Sequence, residues 1–426
     1  MKKVIYLDNA ATTPVRKEVL LAMKSFWADS FGNPGSITKM GVKAKQAVEN
    51  SRKNISEYLK ARPQEIIFTS GGTEANNLAI FGVVSNLEKK GIKISAMHFI
   101  TSNIEHGSVG ECFKELERRG AKVDYLKVNE KGLVESKDLR KLIQPNTVLV
   151  SVGYANNEIG TIQPIKEIAK EIRHARKQDK ATLYPKQSVA LSRLPLFHTD
   201  ASQAGLYLNL NVQELGVDMM TLDAQKIYGP KGIGILFKKA TVEISPIIFG
   251  GGQEKGLRSG TENVPLIVGM AKAIEVVRSA STNPHLSQGG VVSRRTGAVC
   301  LGKGAVERIR NVRNYFWQKI QKEIPEAVLN GDLENRLPNN LNISIPGIDS
   351  EFTVFCLDEA GVVCSTRSAC KQDDGGSAVV RALGKKDEFF KSTLRFSLAE
   401  DIAKKEIDYV VSALKNIVQK QKLASL

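Results

Sequence analysis

Short apolar runs alternate with longer amphipathic stretches through the first half of the chain, and this alternation is what most constrains the fold. The runs EIIFTS, AMHFITS, TVLVSVGYA and MMTLDA have strand length, whereas EANNLAIFGVVSNLEKK and IKEIAKEIRHARK have apolar residues at helical spacing. Strands that alternate with helices are typical of a mostly parallel sheet covered by helices on both faces. We therefore predict an α/β fold in which ligands bind at the carboxyl ends of the strands.

The pattern changes near residue 305, where a long charged helix, the strand LNISI and a final helix, KKEIDYVVSALKNIVQKQK, follow one another. We interpret these elements as a smaller α+β domain. The predicted boundaries give a large domain over residues 15–270 and a small domain that combines residues 1–14 with residues 271–426. Two domains are what a chain of 426 residues is expected to form.

Two stretches, residues 180–196 and 281–303, carry basic residues and no acidic ones. Each lies between a helix and the next element, so we predict surface loop insertions. The whole chain has a net charge of +16, but most of its basic residues are interspersed with acidic ones, as in EKKGIK. A solvated surface that attracts acidic partners is therefore favoured over a nucleic-acid interface, for which the sequence has no recognised motif.

Five cysteines are present, an odd number without a CxxC pair. This pattern argues against a disulfide framework and against a zinc knuckle. The first residues, MKKVIYLDNAATTPV, contain only a short apolar run, and no later segment approaches the ~20 apolar residues of a membrane span. The sequence thus predicts a cytoplasmic protein that does not cross a membrane.

A lysine, Lys226, lies in LDAQKIYGPKGIG, where Gly-Pro and Gly-Ile-Gly predict a tight turn dominated by the backbone. Most lysines are solvated, so this one is interpreted together with two other motifs. In TSGGTEANNLAI, Gly71, Gly72 and Thr73 stand between a strand and a helix, where backbone N–H groups and a hydroxyl converge on phosphate. The alternative for this stretch is a plain turn with Thr73 as a helix cap.

A carboxylate, Asp200, ends the apolar stretch of FHTDASQAG. Alone it predicts a helix cap, but at a strand end it can also face a cationic ligand atom. A helix over QAGLYLNLNVQELG and a strand over DMMTL would return the chain to the same face at Lys226. A lysine for a Schiff base, a carboxylate for a pyridine nitrogen and a glycine turn for a phosphate together indicate pyridoxal phosphate.

Nine motifs form a specific set: LDNAATTPV, SGGTEANN, EHGSV, YANNEIGTIQPI, HTDASQ, KIYGPKGIG, GGGQEKGLRSGTEN, TRSAC and LRFSL. In these motifs the chain resembles the cysteine desulfurases, members of the class V aminotransferase fold type, from about residue 4 to about residue 415. The resemblance implies a homodimeric fold type I pyridoxal-phosphate enzyme that converts L-cysteine to L-alanine. It also implies transfer of sulfane sulfur to an acceptor protein for iron–sulfur cluster assembly or tRNA thiolation.

The resemblance also implies a role for each matching position. Lys226 is the Schiff-base lysine, and Asp200 pairs with the pyridinium nitrogen. His106 stacks on the ring and helps to move protons, which suits a side chain that titrates near neutrality. The remaining implied contacts are Asn156 and Gln203 with the ring's phenolic oxygen and its surroundings, Asn156 with the substrate, Gly72 and Thr73 with the phosphate, Thr261 with the phosphate of the other subunit, and Arg395 with the substrate's α-carboxylate.

Cys370 lies in CSTRSACKQDDGGSAVVRALG, a polar tract that predicts a mobile, exposed loop over about residues 364–377. Free cysteines are more often buried small hydrophobes, and this is the interpretation for Cys112, Cys300 and Cys356. The resemblance implies that the Cys370 thiolate takes the sulfur as a persulfide and that the loop carries it to the acceptor. The tract resembles that of long-loop desulfurases.

Four residues depart from the family's pattern. Asp223 and Gln225 replace a hydroxyl and an imidazole that help to bind phosphate, and a carboxylate repels a phosphate dianion unless it is protonated, turned away or bridged by a cation. Thr38 stands where a histidine is common, and Arg367 replaces a glycine. Two alternatives therefore remain: a desulfurase-like interaction subunit with weak or no activity, and another pyridoxal-phosphate enzyme such as a selenocysteine lyase or a transaminase.

Overall fold

The computed structural model describes residues 4–178, 194–282, 303–366 and 375–424. Within these ranges the strands are β1 Ile5–Tyr6, β2 Ile66–Thr69, β3 His98–Ser102, β4 Lys122–Leu126, β5 Thr147–Ser151, β6 Leu196–Asp200, β7 Met219–Asp223, β8 Gly234–Lys238, β9 Val328–Leu329, β10 Asn340–Ser344, β11 Val362–Val363 and β12 Thr393–Ser397. The helices are α1 Lys17–Ala28, α2 Lys39–Leu59, α3 Gly72–Lys89, α4 Gly107–Arg118, α5 Ser136–Leu142, α6 Ile165–Gln178, α7 Val212–Leu215, α8 Val264–Thr282, α9 Lys303–Glu323, α10 Ser350–Glu359, α11 Ala378–Ala382, α12 Asp387–Phe390 and α13 Lys404–Ala424. None of these helices combines the length and the apolar character that crossing a membrane requires.

In the described part of the chain, seven strands form a central sheet in the order β2-β8-β7-β6-β5-β3-β4. The strands from β7 to β4 run parallel, and β8 pairs antiparallel with β2 and β7. Every residue of β5 and β7 is buried, as expected for parallel strands with both faces covered. The edge strand β4 instead exposes Lys122 and Tyr125, which protects the sheet from pairing with other chains.

Apolar side chains cover both faces of this sheet, because successive residues of a strand point to opposite sides. On one face α3 and α4 pack against Phe99 of β3, whose ring meets that of Phe113 edge-on at 6.2 Å. On the other face Ile100 joins a larger core that continues to Phe316 and Phe396 in the C-terminal part. The predicted α/β architecture, a mostly parallel sheet between helices, is confirmed.

The N-terminal segment connects the C-terminal strands with the turn that carries Lys226. Strand β1 pairs with β11, next to the antiparallel sheet β12-β10-β9. The Nδ2 of Asn9 donates to the carbonyl of Ser397 at 2.8 Å. Further along, the hydroxyl of Thr13 accepts the N–H of Tyr228 at 2.8 Å. The N-terminal segment therefore contacts both the C-terminal strands and the turn that carries Lys226. The domain boundaries proposed from the sequence remain a prediction.

The connection between β6 and β7 differs from the helix predicted over QAGLYLNLNVQELG. Only Val212–Leu215 is helical, and the preceding residues form turns. The side-chain oxygen of Asn209 accepts the N–H of Asn211 at 2.7 Å, a local bond that competes with helix formation. The return of the chain was nevertheless predicted correctly, because β7 pairs parallel with β6 and places Thr221 opposite Asp200.

Candidate active site

A cavity of about 280 Å³ opens at the carboxyl ends of the parallel strands. Ser102 ends β3, Asp200 ends β6 and Asp223 ends β7, and all three line the cavity. Eight further residues singled out in the sequence line it: Gly72, Thr73, His106, Asn156, Gln203, Gln225, Lys226 and Arg395. The fold thus brings together residues that are far apart in the chain, at the place where an open parallel sheet binds its ligands.

Lys226 lies in a short 3-10 turn that directly follows β7. Its Nζ donates to the carbonyl oxygens of Ala10 at 2.9 Å and Ala11 at 2.6 Å. The same segment holds the turn itself, because the hydroxyl of Thr13 donates to the carbonyl of Gln225 at 2.8 Å. The N-terminal segment therefore fixes the amine at the cavity wall, in reach of a bound carbonyl compound.

Asp200 belongs to a chain of hydrogen bonds that crosses the cavity floor. One carboxylate oxygen accepts from Nδ2 of Asn76 at 2.8 Å, and the other accepts from the N–H of Ser202 at 2.9 Å. Nδ2 of Asn76 also donates to the hydroxyl of Ser108 at 2.8 Å. Asn76 is fully buried in the second turn of α3 and was missed by the sequence analysis. A buried amide on a helix face that is otherwise apolar is the signal that points to it.

His106 caps the N-terminus of α4 with its own ring. Nδ1 accepts the backbone N–H of Ser108 at 3.1 Å and lies 2.8 Å from the Ser108 hydroxyl. Because Nδ1 accepts this N–H, the proton of the neutral imidazole is on Nε2. His106 is therefore connected through Ser108 and Asn76 to Asp200.

Glu105 is a buried carboxyl group in the cavity wall that the sequence analysis left without a role. It accepts the N–H of Gly153 at 3.0 and 3.1 Å and the hydroxyl of Ser102. Burial raises the pKa of Glu105 from 4.5 to about 7, against the opposite effect of these hydrogen bonds, and the charge of Asp200 raises it further. A group of this kind exchanges a proton near neutral pH.

The predicted phosphate turn is occupied by a side chain of the protein itself. The carboxylate of Asp223 accepts the N–H of Gly72 at 3.2 Å, the N–H of Gln225 at 3.2 Å and the side-chain amide of Gln225 at 3.1 Å. Asp223 is buried. The Oγ of Ser202 is also buried next to Gly72 and has no hydrogen-bond partner among the described residues. Donors for an anion are thus present, but a carboxylate already uses three of them.

Arg395 is buried on β12 and forms an ion pair with Asp8 at 2.7 Å. Its Nη1 donates to the carbonyl of Asn157 at 3.2 Å, and its Nε has no partner within the described ranges. Asn156 is held by the backbone: its Oδ1 accepts the N–H of Glu158 at 2.8 Å, and its Nδ2 donates to Ile104 at 2.8 Å. The guanidinium therefore has a donor left for a carboxylate in the cavity.

The amide of Gln203 donates to the carbonyl of Ala10 at 2.9 Å, beside the Lys226 amine. Thr261 lines a different cavity, of about 230 Å³, together with Ser70. Thr38 is the N-cap of α2, where its hydroxyl accepts the N–H of Gly41 at 3.3 Å, and it does not line the active-site cavity.

Cys370 and Arg367 lie outside the described residues, but both flanks of their segment are hydrogen-bonded to other parts of the chain. On one side Ser365 exchanges backbone hydrogen bonds with Arg395, at 2.6 and 3.2 Å. On the other side the hydroxyl of Ser377 donates to the buried carboxylate of Glu158 at 2.5 Å. The first flank is thus bonded directly to a residue that lines the cavity, and the second flank is bonded to Glu158, which follows the lining residues Asn156 and Asn157 in the chain.

Among the other cysteines, Cys112 is buried, and desolvation raises the pKa of its thiol to about 12. Cys356 is half-buried, and Cys300 lies outside the described residues. Cys364, for which no role was predicted, is buried, and desolvation raises the pKa of its thiol to about 12 as well. Thiols with such pKa values are poor nucleophiles at neutral pH.

Comparison with known proteins agrees with this geometry. The class-V aminotransferase family model matches residues 5–288. The cysteine desulfurase IscS of Dictyoglomus turgidum is 40% identical over 426 residues, which cover 100% of this chain and 97% of that protein. A solved NifS-like protein has a TM-score of 0.81 at 33% identity, covering 98% of this chain and 99% of its own. SspA, solved in complex with cysteine, has a TM-score of 0.72 at 33% identity, covering 92% and 98%.

The fold and the site thus define a member of the class V aminotransferase family. Within that family the chain belongs to the cysteine desulfurases, since full-length relatives of that activity match it from end to end. The resemblance found in the sequence motifs is confirmed.

Proposed function

We propose that this desulfurase converts L-cysteine to L-alanine with pyridoxal phosphate and transfers the sulfur through a Cys370 persulfide to an acceptor protein. The observation that supports the proposal most directly is the convergence of Lys226, Asp200, His106 and Arg395 on one cavity. Amino-acid chemistry on this cofactor needs an amine for covalent attachment and a carboxylate for the pyridine nitrogen. It also needs an imidazole that moves protons and a guanidinium that binds the substrate's carboxylate.

The donor set fits pyridoxal phosphate at the reactive end of the cavity. Lys226 supplies the amine for covalent attachment, and Asp200 supplies the carboxylate for a protonated pyridine nitrogen. Thr73 and the unpartnered hydroxyl of Ser202 supply donors for the phosphate. When bound, the cofactor supplies a ring that withdraws electrons from the substrate's α-carbon.

The chain's own residues orient the substrate and move its protons. Arg395 holds the α-carboxylate through a guanidinium that Asp8 and the carbonyl of Asn157 keep in place. Asn76 and the N–H of Ser202 aim the carboxylate of Asp200 by two hydrogen bonds. His106 presents Nε2 to the cavity as a proton donor, because Nδ1 is used by the helix cap.

Sulfur transfer is assigned to Cys370. Its thiolate forms an S–S bond with the sulfur of L-cysteine as the C–S bond breaks, and the carbon takes up a proton to give L-alanine. The backbone contacts of Ser365 with Arg395 support this role, because they hold the N-terminal flank of the segment against the residue that is proposed to bind the substrate's carboxylate. An acceptor for iron–sulfur cluster assembly or for tRNA thiolation then receives the sulfur.

We further propose a cytoplasmic homodimer in which Thr261 completes the phosphate site of the partner subunit. Thr261 lies apart from the active-site cavity of its own chain, which supports a role in the other subunit. Several large apolar side chains from α1 to the first turn of α2 are exposed, which also supports association. These side chains are Leu20, Leu21, Trp27, Phe31, Ile37, Met40 and Val42.

One observation favours a second candidate, an interaction subunit with little activity. Asp223 takes the N–H of Gly72 that the cofactor's phosphate would use. A protein that cannot retain the cofactor would keep only its partner surfaces. The enzyme is favoured, because Lys226, Asp200, His106 and Arg395 all line one cavity.

The proposal is tested with Cys370→Ser and a matched control, Cys356→Ser. We expect Cys370→Ser to bind pyridoxal phosphate like the wild type but to form no persulfide, whereas Cys356→Ser forms it normally. Persulfide is measured by mass spectrometry of the intact protein, and alanine is quantified in the same sample. Persulfide formation at the wild-type level by Cys370→Ser would contradict the assignment, and turnover of selenocysteine alone would favour a selenocysteine lyase.

A further inference from the structure

The inference concerns the phosphate end of the cavity and rests on the proposed cofactor. Three hydrogen-bond donors converge there on the carboxylate of Asp223: the N–H of Gly72, the N–H of Gln225 and the side-chain amide of Gln225. The N–H of Gly72 belongs to the first turn of α3, where the helix dipole favours a negative charge. The carboxylate thus occupies the place of an anionic ligand.

The charged side chains described around the carboxylate of Asp223 form hydrogen bonds or ion pairs with other groups. Lys226, on the same turn, donates to two carbonyl groups of the N-terminal segment. Glu74, in the first turn of α3, pairs with Arg258 at 2.8 Å. Across the cavity, Asp200 accepts from Asn76 and the N–H of Ser202, and Arg395 pairs with Asp8. Within the described residues, Asp223 forms no ion pair that would neutralise its charge next to a phosphate.

We propose that Asp223 competes with the cofactor's phosphate for these donors and that the phosphate binds by sharing one proton with this carboxylate. A bound proton between a carboxylate oxygen and a phosphate oxygen turns the repulsion of two anions into a strong hydrogen bond. The Oγ of Ser202, buried and unpartnered beside Gly72, provides the phosphate with a further donor. Cofactor retention is then coupled to proton uptake.

The coupling has a definite sign. A phosphate monoester loses its second proton at about pH 6, so below that pH the ligand itself brings the shared proton. Above that pH one proton must be taken from solution for each phosphate bound. The dissociation constant for pyridoxal phosphate therefore rises by about tenfold for each pH unit above about 6. Below about pH 6, the shared proton no longer makes this dissociation constant depend on pH.

Pyridoxal, which lacks the phosphate, separates this effect from the titration of Lys226. Both ligands react with the same amine, so its protonation affects both dissociation constants equally. The ratio of the two constants reports the phosphate alone. We expect the advantage of pyridoxal phosphate over pyridoxal to be large at pH 6 and to fall by about a hundredfold at pH 8, as one proton per phosphate requires over two pH units.

The test measures both dissociation constants by visible absorbance for the wild type, Asp223→Asn and Asp223→Ser between pH 5.5 and 8.5. In Asp223→Asn an amide of the same shape keeps an acceptor for Gly72 and offers a donor to the phosphate. We expect both variants to bind pyridoxal like the wild type and to bind pyridoxal phosphate more tightly at pH 8, by about ten- to a hundredfold, without the pH slope.

Each outcome decides a separate point. A ratio that does not change with pH in the wild type would overturn the inference and leave the proposed function intact, because Asp223 would then turn away from the phosphate. A pH slope that persists in both variants would overturn it as well. A wild-type advantage of pyridoxal phosphate that depends on a divalent cation, is lost with a chelator and does not change with pH would also overturn it in favour of a bridging cation. Failure of wild type and variants to bind either ligand would overturn the cofactor assignment itself.

Discussion

The two ends of the active-site cavity differ in how their polar groups are used. At the reactive end, hydrogen bonds connect Asp200 through Asn76 and Ser108 to His106. At the phosphate end, the carboxylate of Asp223 already accepts from three of the donors that a phosphate would use. The reactive end is thus preorganised for its ligand, whereas the phosphate end is preorganised for its own side chain.

This difference shows that the catalytic residues of a cavity can stay in place while the residues that bind the cofactor's phosphate change. The catalytic groups depend on long-range contacts with the N-terminal segment and with α3, which a substitution beside the phosphate leaves in place. The affinity for the cofactor and the rate of the reaction are therefore expected to respond to different residues. The following variants test that separation.

The largest effect is expected for Lys226→Ala. Without the amine, covalent attachment of the cofactor is lost, and turnover of L-cysteine should fall by about a thousandfold or more, as for the loss of a covalent catalytic group. Lys231→Ala, an exposed lysine of the same loop, is the control and should keep full turnover. Alanine production and the visible absorbance of the cofactor are measured. Comparable turnover by both variants would contradict the role of Lys226.

Arg395→Lys comes next. A lysine keeps the charge but cannot form the forked pair of hydrogen bonds, so KM for L-cysteine should rise by about a hundredfold while the cofactor binds normally. The exposed Arg381→Lys, elsewhere in the C-terminal part, serves as the control. An unchanged KM would show that Arg395 only pairs with Asp8.

Glu105→Gln tests the reactive end of the cavity through the free energy of unfolding. The raised pKa of about 7 means that, above the unfolded value of 4.5, the folded protein holds a proton that the unfolded chain has released. The free energy of unfolding of the wild type therefore falls as pH rises through this window, by up to about 1.4 kcal/mol per pH unit from this group. The variant should lack this contribution.

Urea unfolding at several pH values measures this slope, with the exposed Glu111→Gln on α4 as the control. The difference between the wild type and Glu105→Gln should appear between pH 4.5 and pH 7. Parallel curves for all three proteins would mean that Glu105 is ionised throughout.

The smallest effect is expected for Asn76→Ala. The variant leaves the carboxylate of Asp200 with one donor fewer, so kcat/KM should fall by about tenfold, the cost of one hydrogen bond to a charged group. The pH at which the spectrum of the bound cofactor changes should also shift, because Asp200 would be less well held. Asn77→Ala, whose side chain bonds its own helix at Thr73, should do neither. Equal kinetics and spectra for the two variants would exclude a role for Asn76 in positioning Asp200.

The sequence predicted the sheet and the meeting of Asp200 with Lys226 because both follow from local patterns. Alternating apolar runs specify parallel strands, and the ends of parallel strands share one edge. The predicted helix after Asp200 was wrong, since side-chain bonds of Asn209 favour turns that periodicity does not reveal.

Contacts between distant segments were beyond the reach of the sequence. The bonds of Asn76 to Asp200 and of Asp8 to Arg395 join residues that are 124 and 387 positions apart. The amide of Asn76 on an apolar helix face indicates a buried polar contact, but no local pattern identifies its partner. The sequence did predict a conflict between Asp223 and a phosphate. Only the structure shows that the conflict takes the form of occupied N–H donors.

The most direct test of the account uses the purified protein loaded with pyridoxal phosphate at pH 6. L-cysteine is added without a reductant, and alanine and the mass of the Cys370 peptide are measured over a single turnover. We expect the cofactor's absorbance to change and one alanine to appear for each persulfide on Cys370. A loaded protein that leaves L-cysteine unchanged, with no alanine and no added sulfur, would contradict the assignment of this cavity as a desulfurase active site.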